Sequence, residues 1–319
     1  MAMERRGSSF SASLKSELAR FYPSRRCCRV AELSGLIHAI GSLHVHGDEI
    51  FSLEAHVENA AVVRKIYRLF RDLFPLQVEV TVRRSVLHRA NDYLVAVPEQ
   101  PALTQALNEL GILDDRLAIA RGVPDRLVFK GCCSASYLRG AFLGGGFASN
   151  PKGEYHFELA TVNAAFAEGL KALLGKFDLR AGVLERARNV AVYLKSGDDI
   201  LKVLAIMGAY NSLLKWEDAR IVKEMRAQVN RMVNCDTANL GKAAAAAIRQ
   251  IEDIKLIRER IGLDGLSGLL REIANLRLRN PSANIRELGE LSTPPLNKSA
   301  VYHRLRRLSQ LAQSLRGKV

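Results

Sequence analysis

Two pairs of adjacent cysteines are the first residues in the sequence that could do chemistry. Cys27-Cys28 and Cys132-Cys133 stand 105 positions apart, and each pair precedes a run rich in small residues. Thiolates bind soft metals, but zinc sites take their ligands from pairs spaced by two to four residues, which adjacent cysteines do not match. Five cysteines in 319 residues also do not form a disulfide framework. We expect reduced thiols that serve as small buried side chains, with no metal and no cofactor.

Two further segments contain residue types that bind ligands. His44 and His46 would lie on one face of a strand, which suits zinc, but no second ligand pair at metal spacing accompanies them. A solvated or partly packed strand is therefore favoured. Gly144-Gly145-Gly146 has the composition of a phosphate-binding loop, but no Gly-Lys-Ser/Thr follows it. Neither segment predicts a site.

The C-terminal segment carries a strong excess of positive charge. The chain has 47 Lys and Arg against 33 Asp and Glu, a formal net charge of +14. Residues 271–319 contain eight Arg and two Lys against three Glu, so half of this excess lies there. Such a segment is expected to meet polyphosphate or another anionic surface.

The last predicted helix has two contrasting faces. Asn297 can cap its start, and apolar residues repeat at four and three positions from Val301 to Leu315, which predicts one core-facing stripe. The opposite face suits the recognition helix of a helix-turn-helix, with His303 and Arg306 for base edges and Lys298, Tyr302, Arg304 and Arg307 for the backbone. The expected DNA-binding residues are Asn297, Lys298, Ser299, Tyr302, His303, Arg304, Arg306 and Arg307.

A basic amphipathic helix that is only solvated, or that binds a protein, remains an alternative on composition alone. The predicted turn, Ser292–Leu296, has five residues, whereas the usual helix-turn-helix turn has three or four. The helix-turn-helix is therefore predicted from the spacing of the helices and the turn alone.

The elements that must position these residues are repeated. After each cysteine pair, the sequence predicts a helix, then an alternating strand (Ile50–Val57 and Tyr155–Val162) and a second helix (Ala60–Phe74 and Ala164–Phe177). Two more strands and a closing helix complete each copy, so the order αββαββα occurs twice.

The predicted domain organisation follows from this repeat. The expected parts are an N-terminal helix or arm over 1–22, repeats over 23–120 and 121–220, a helical linker over 221–237, and an all-α domain over 238–319. Residues 232–236 are expected to interrupt the helix of the linker. A composition of 48% hydrophobic and 25% charged residues supports several globular cores.

The motif Leu33-Ser-Gly-Leu-Ile-His-Ala-Ile-Gly41 resembles the helix that opens each αββαββα unit of LAGLIDADG homing endonucleases. Over nearly its full length the chain resembles the WhiA family of bacterial DNA-binding regulators, with 11–19 and 285–305 among the most family-like stretches. The resemblance implies an α+β fold, with a duplicated LAGLIDADG-like domain of pseudo-two-fold symmetry and an all-α helix-turn-helix domain. It also implies roles in cell division, chromosome segregation and, in sporulating bacteria, sporulation septation.

The resemblance places Ile40 and Gly145 where the nucleases have metal-binding acids, with His38 and Leu143 at the other acidic slot. None of these side chains replaces a carboxylate ligand for a hard cation. Asp48 and Glu49 follow the first motif and Glu154 follows the second after a longer loop, which does not support a symmetric pair. We therefore expect no enzyme activity; the alternative is a homing-type endonuclease with displaced carboxylates.

The expected partner is double-stranded DNA at promoter sites, with another transcription regulator or RNA polymerase as an open second partner. No apolar run reaches the roughly 18–20 residues that a bilayer requires. The sequence therefore predicts a cytoplasmic, nucleoid-associated protein without a membrane partner, which acts as a monomer with internal pseudo-symmetry.

Overall fold

The computed structural model describes residues 9–47, 50–84 and 91–316. They form two compact units, the first ending at Lys223 and the second beginning at Glu224. The described part of the first unit combines helices and two sheets, and that of the second contains helices alone. The predicted α+β fold class is confirmed.

The first unit begins with α1 (Phe10–Arg20) and then contains the same order of elements twice. The first copy consists of α2 (Arg26–Ile40), β1 (Gly41–Val45), β2 (Phe51–Val57), α3 (Ala60–Leu73), β3 (Glu79–Arg84), β4 (Asn91–Val97) and α4 (Pro101–Glu109). The second consists of α5 (Gly131–Gly145), β5 (Gly146–Ala148), β6 (Phe157–Thr161), α6 (Ala164–Gly175), β7 (Gly182–Glu185), β8 (Val190–Leu194) and α7 (Gly197–Met207).

Each copy builds one four-stranded antiparallel sheet. The strand orders are β1-β2-β4-β3 and β5-β6-β8-β7, so the two sheets have the same topology. Leu53 on β2 pairs with Leu43 and Val97, and Leu159 on β6 pairs with Gly146 and Val192. Because side chains alternate along a strand, these registers direct one face of each sheet to the core. The duplicated αββαββα prediction is confirmed.

Helices α2 and α5 pack against each other through glycine. A Cβ atom at Gly35 would lie 2.3 Å from the carbonyl oxygen of Tyr137, and one at Gly140 would lie 2.0 Å from that of Glu32. Backbone atoms cannot withdraw from such contacts unless the helix moves, so only glycine permits this approach. The small residues that follow each cysteine pair therefore set the distance between α2 and α5.

A buried ion cluster lies beside these glycines. Glu32 on α2 is fully buried and accepts hydrogen bonds from Arg139 on α5 at 2.9 and 3.0 Å, and it forms an ion pair with Lys65 on α3. Lys65 also donates to the carbonyl oxygen of Leu18 at 3.0 Å, where α1 ends. The cluster therefore joins both copies and the N-terminal helix.

Helix α8 (Tyr210–Ile261) runs for 52 residues without the expected interruption, so the prediction of a break at 232–236 is wrong. That segment contains neither Gly nor Pro, and its polar side chains stay in water, so nothing ends the backbone hydrogen-bond ladder there. The helix ends before Gly262, whose φ of 75° is left-handed.

The second unit consists of the later part of α8, α9 (Gly268–Arg279), α10 (Ile285–Glu290) and α11 (Lys298–Arg316). One apolar core joins the four helices, with fully buried side chains at Ile257, Ile273, Leu288 and Val301. Among the described residues, no helix of either unit has the length and apolar character needed to cross a bilayer.

Candidate nucleic-acid interface

Caps on two successive helices set the position of α11. The Asn284 side chain accepts hydrogen bonds from the backbone N–H groups of Arg286 and Glu287, and the Glu287 carboxylate accepts one from the Asn284 N–H at 2.8 Å. These reciprocal hydrogen bonds form a capping box at the start of α10. The Asn297 side chain accepts from the Ala300 N–H at 2.8 Å, which confirms the predicted cap of α11.

The apolar stripe of α11 is confirmed as its core-facing side. Val301, Leu305, Leu308 and Ala312 are buried, and Leu315 is half-buried against the same core. Because these residues hold one side of the helix inside the unit, the opposite side must face solvent.

That outward side presents most of the predicted DNA-binding residues together. The exposed residues near the start of α11 are Asn297, Lys298, Ser299, Tyr302, His303, Arg306 and Arg307. The rings of Tyr302 and His303 meet edge to face with centroids 5.8 Å apart. The surface therefore combines cations, hydroxyl groups and rings that can stack or donate hydrogen bonds.

All three carboxylates of the C-terminal segment are engaged elsewhere. Glu287 completes the cap of α10, and Glu290 accepts from Arg286 at 3.2 Å. Glu272 accepts from the Thr293 N–H at 3.0 Å and lies 3.5 Å from Arg304. Within the described part of the chain, the outward cations Lys298, Arg306 and Arg307 form no ion pair with a carboxylate, although Glu252 and Asp253 of α8 line a groove with Arg306.

Two arginines of the basic segment serve the structure instead. The Arg304 side chain is 18% exposed and pairs with Glu272, which ties α11 to α9, so it stands apart from the outward surface. Arg277 is buried, and it donates to the carbonyl oxygen of Ala283 at 2.5 Å. Burial lowers the pKa of the Arg277 guanidinium from its ordinary value. Counting charges along the sequence could not separate these residues from the exposed cations.

Arg249 of α8 lies beside the outward surface of α11, which no sequence pattern predicted. Tyr302 and Arg306 line a groove of about 440 Å³ together with Arg249 of α8 and Gln313. Arg249 is 57 positions before Arg306, and no local pattern connects the two. Arg316 borders the same groove but pairs with Asp253 at 2.9 Å.

The positions of the absent nuclease acids face a cavity of about 620 Å³ in the first unit. Ile40 and Gly145 line it at the C-terminal ends of α2 and α5. Lys15 of α1 also lines it and donates to the carbonyl oxygen of Gly144 at 3.4 Å. Desolvation lowers the pKa of Lys15, and the charge of Glu58 acts in the opposite direction.

This cavity lacks a symmetric pair of carboxylates among the residues described. Glu58 is the one acid among the described residues that line it, and Glu154 is not among these residues. Asp48 and Glu49 lie outside the described residues. A lysine ammonium beside a single carboxylate is a poor site for a divalent cation.

The cysteine pairs are partly exposed, and the two histidines lie in solvent. Cys28 and Cys133 are buried, as predicted, but Cys27 and Cys132 are exposed, so the expectation is wrong for these two. Each lies in the first turn of its helix, on the side that faces solvent. His44 and His46 are exposed with ring centroids 6.4 Å apart, which confirms the solvated strand.

Family profiles match the chain in three places. The WhiA N-terminal LAGLIDADG-like domain matches residues 26–113, the WhiA LAGLIDADG-like domain matches 134–226, and the WhiA C-terminal HTH domain matches 229–312.

Curated relatives match over almost the whole length. A protein of Desulforamulus reducens named probable cell division protein WhiA is 47% identical over 310 residues, which cover 97% of this chain and 96% of that protein. One of the same name from Heliobacterium modesticaldum is 45% identical, with 96% of each chain covered. Among solved structures, full-length DUF199/WhiA from T. maritima is 27% identical with a TM-score of 0.58, and the match covers 96% of this chain and 99% of that one.

Proposed function

The chain belongs to the WhiA family, and from this we propose that it is a sequence-specific, double-stranded DNA-binding transcription regulator whose contacts come from the first half of α11. The observation that carries the proposal is the exposed side of α11, where Lys298, Arg306 and Arg307 have no acidic partner among the described residues. A helix held by one apolar side and presenting unneutralised cations on the other suits the major groove.

The side chains of this surface fall into those that contact bases and those that contact the DNA backbone. We assign Arg306 and His303 to base edges, because a guanidinium reads guanine through two parallel hydrogen bonds and an imidazole can donate or accept. Lys298 and Arg307 contact phosphates, with Ser299 and Tyr302 donating hydrogen bonds. Asn297 keeps its amide N–H₂ available to the DNA while its oxygen caps the helix. Arg304 acts indirectly, since its pair with Glu272 holds α11 in place.

The names of the relatives refer to cell division, and the family resemblance adds chromosome segregation and sporulation septation. We propose that the promoter sites control cell division and chromosome segregation, and sporulation septation where the host sporulates. In this proposal the chain acts on the nucleoid in the cytoplasm as a monomer with internal pseudo-symmetry. The first unit would contact another transcription regulator or RNA polymerase.

We propose further that the first unit does not cleave DNA. A nuclease of this fold needs paired acids at the ends of α2 and α5, and here Ile40, Gly145 and Lys15 occupy that region. The competing function, an endonuclease with displaced carboxylates, predicts magnesium-dependent cleavage of a bound duplex by the full chain.

The test starts from a binding site selected with the full chain from a random duplex library. Its affinity and that of a scrambled duplex are measured by fluorescence anisotropy at one salt concentration. His303→Ala/Arg306→Ala should reduce the preference for the selected site by about 30-fold or more, since each of the two base contacts contributes about 1–3 kcal/mol. Arg286→Ala, which removes an exposed α10 cation paired with Glu290, is the matched control and should retain the preference.

Failure to select any sequence, or an unchanged preference in the double variant, would refute the assignment of readout to α11. The selected duplex is also incubated with the chain and Mg²⁺. A site-specific cut would establish the nuclease function instead.

A further inference from the structure

Four cysteine thiols from distant parts of the chain meet at one end of the contact between α2 and α5. The sulfur atoms of Cys27, Cys28 and Cys133 all lie within 4.8 Å of one another. The Cys132 sulfur lies 4.0 Å from that of Cys133, and its thiol interacts with that of Cys28. Two pairs that are 105 positions apart therefore form a single cluster.

The cluster follows from the internal repeat. Cys27 corresponds to Cys132 and Cys28 corresponds to Cys133, so the contacts Cys28–Cys132 and Cys27–Cys133 are the same contact related by the pseudo-two-fold axis. The close glycine packing of α2 on α5 brings the two helix starts together. The ligand-spacing rule argues against metal binding within one segment, but here the second pair comes from the other copy.

The surroundings of the cluster favour negative charge. The N-cap residues of α2 and α5 are Arg25 and Lys130, neither helix has a side-chain cap, and neither has an acid in its first turn. The Arg25 guanidinium lies 3.9 Å from the Cys132 sulfur. Helix N-termini carry partial positive charge and stabilise thiolates in the first turn.

The protonation of the thiols is asymmetric without a cation. Hydrogen bonding from Cys28, with smaller contributions from Cys133 and Arg25, lowers the pKa of Cys132. Burial raises the pKa of Cys28 to about 11, and it also raises that of Cys133.

We propose that Cys27, Cys28, Cys132 and Cys133 form a tetrahedral site for a thiophilic divalent cation of the zinc class, which ties α2 to α5. A zinc–sulfur distance of about 2.3 Å in a tetrahedron requires sulfur atoms about 3.8 Å apart. Cys27, Cys28 and Cys133 need to approach one another by about 1 Å at most, whereas Cys132, which lies outside this group of three but 4.0 Å from Cys133, must turn its exposed side chain toward them. Binding releases the remaining thiol protons to solvent, and no oxidation or reduction occurs.

The proposal does not depend on DNA binding, because the site lies in the first unit and the outward surface of α11 lies in the second. Its role is structural: the four-thiolate site leaves no coordination position for a water or substrate.

Cobalt titration tests the site directly. The full chain is reduced, freed of metal with a chelator and titrated anaerobically with Co²⁺, followed by Zn²⁺ competition. One equivalent should give the intense visible absorption of tetrahedral cobalt and the ultraviolet thiolate-to-cobalt band, and Zn²⁺ should abolish both. Cys27→Ser/Cys132→Ser removes the two exposed ligands, so its fold should persist by circular dichroism while these bands disappear.

Cys235→Ser is the matched control, because Cys235 is an exposed cysteine of α8 outside the cluster; it should bind one equivalent as the parent chain does. Absence of the bands from the reduced parent chain would refute the site, as would unchanged bands in the double variant. A cross-helix disulfide formed in air by a chain that binds no Co²⁺ would also refute it.

Discussion

Replacing Gly140 with alanine tests whether glycine is what permits the contact between α2 and α5. The added Cβ would lie 2.0 Å from the carbonyl oxygen of Glu32, 2.9 Å from its carbonyl carbon and 3.0 Å from the Leu36 nitrogen. All three are backbone atoms of α2, so the helices must separate by more than about 1 Å to reach ordinary contact. Separation also stretches the hydrogen bonds between Arg139 and Glu32, which are 2.9 and 3.0 Å long.

The expected cost is about 1–3 kcal/mol, the usual range for overpacking a dense core. For a unit of this size, each kcal/mol of destabilisation lowers Tm by about 2–4 °C, so the Tm of the Gly140→Ala variant should be about 2–12 °C lower than that of the parent chain. Scanning calorimetry of the full chain measures it. Gly175→Ala is the matched control, because a Cβ there meets nothing within 4 Å. It should be neutral or slightly stabilising, by up to about 1 kcal/mol. A Gly140→Ala transition within about 1 °C of the parent would refute the reasoning.

Three further outcomes follow from charge and burial. Lys298→Ala/Arg307→Ala should reduce the slope of log K against log salt by about 1.8, roughly 0.9 for each phosphate that is no longer neutralised, whereas Arg286→Ala should leave the slope unchanged in anisotropy titrations. Glu32→Gln leaves Lys65 and Arg139 buried without a counter-charge, so urea unfolding should show a destabilisation of about 3–5 kcal/mol, against less than about 1 kcal/mol for Glu109→Gln at the exposed Arg26 pair. Burial lowers the pKa of His38 below its ordinary 6.5. Just below pH 6.5 the unfolded chain therefore binds a proton at His38, whereas the folded chain does not. Stability should fall as pH drops from 7 to 5, and His38→Gln should flatten this dependence; an equal slope in the variant would exclude His38 as its source.

Local patterns in the sequence were sufficient for the repeated elements. The alternation from Ile50 to Val57 and the helical spacing after Ala60 correspond to β2 and α3 within a residue or two. The caps at Asn284 and Asn297 were also predictable, because a cap depends on residues three positions apart. In α11, the apolar period alone separated the core side from the outward side.

Features that depend on distant residues were not predictable in the same way. Nothing near Glu32 in the sequence indicates that Lys65 and Arg139 neutralise it, since these partners come from other helices. The interruption expected at 232–236 was an error in reading a local pattern, because the segment contains neither Gly nor Pro, the residues that most strongly disfavour a helix. Arg304 was expected to contact the DNA backbone, but no local pattern reveals its partner Glu272, which lies on another helix.

The absence of nuclease acids is supported by the packing as well as by the residue types. At Gly145, a Cβ atom would lie 2.2 Å from the carbonyl oxygen of Ala160 on β6, so an acid cannot occupy this position unless the strand moves. No comparable constraint applies to Ile40, a half-buried side chain at the end of α2. The two copies have therefore diverged: one could regain a carboxylate by substitution alone, and the other could not. Because metal-assisted cleavage needs ligands from both helices, the backbone approach at Gly145 blocks the paired site even if the first acid were restored.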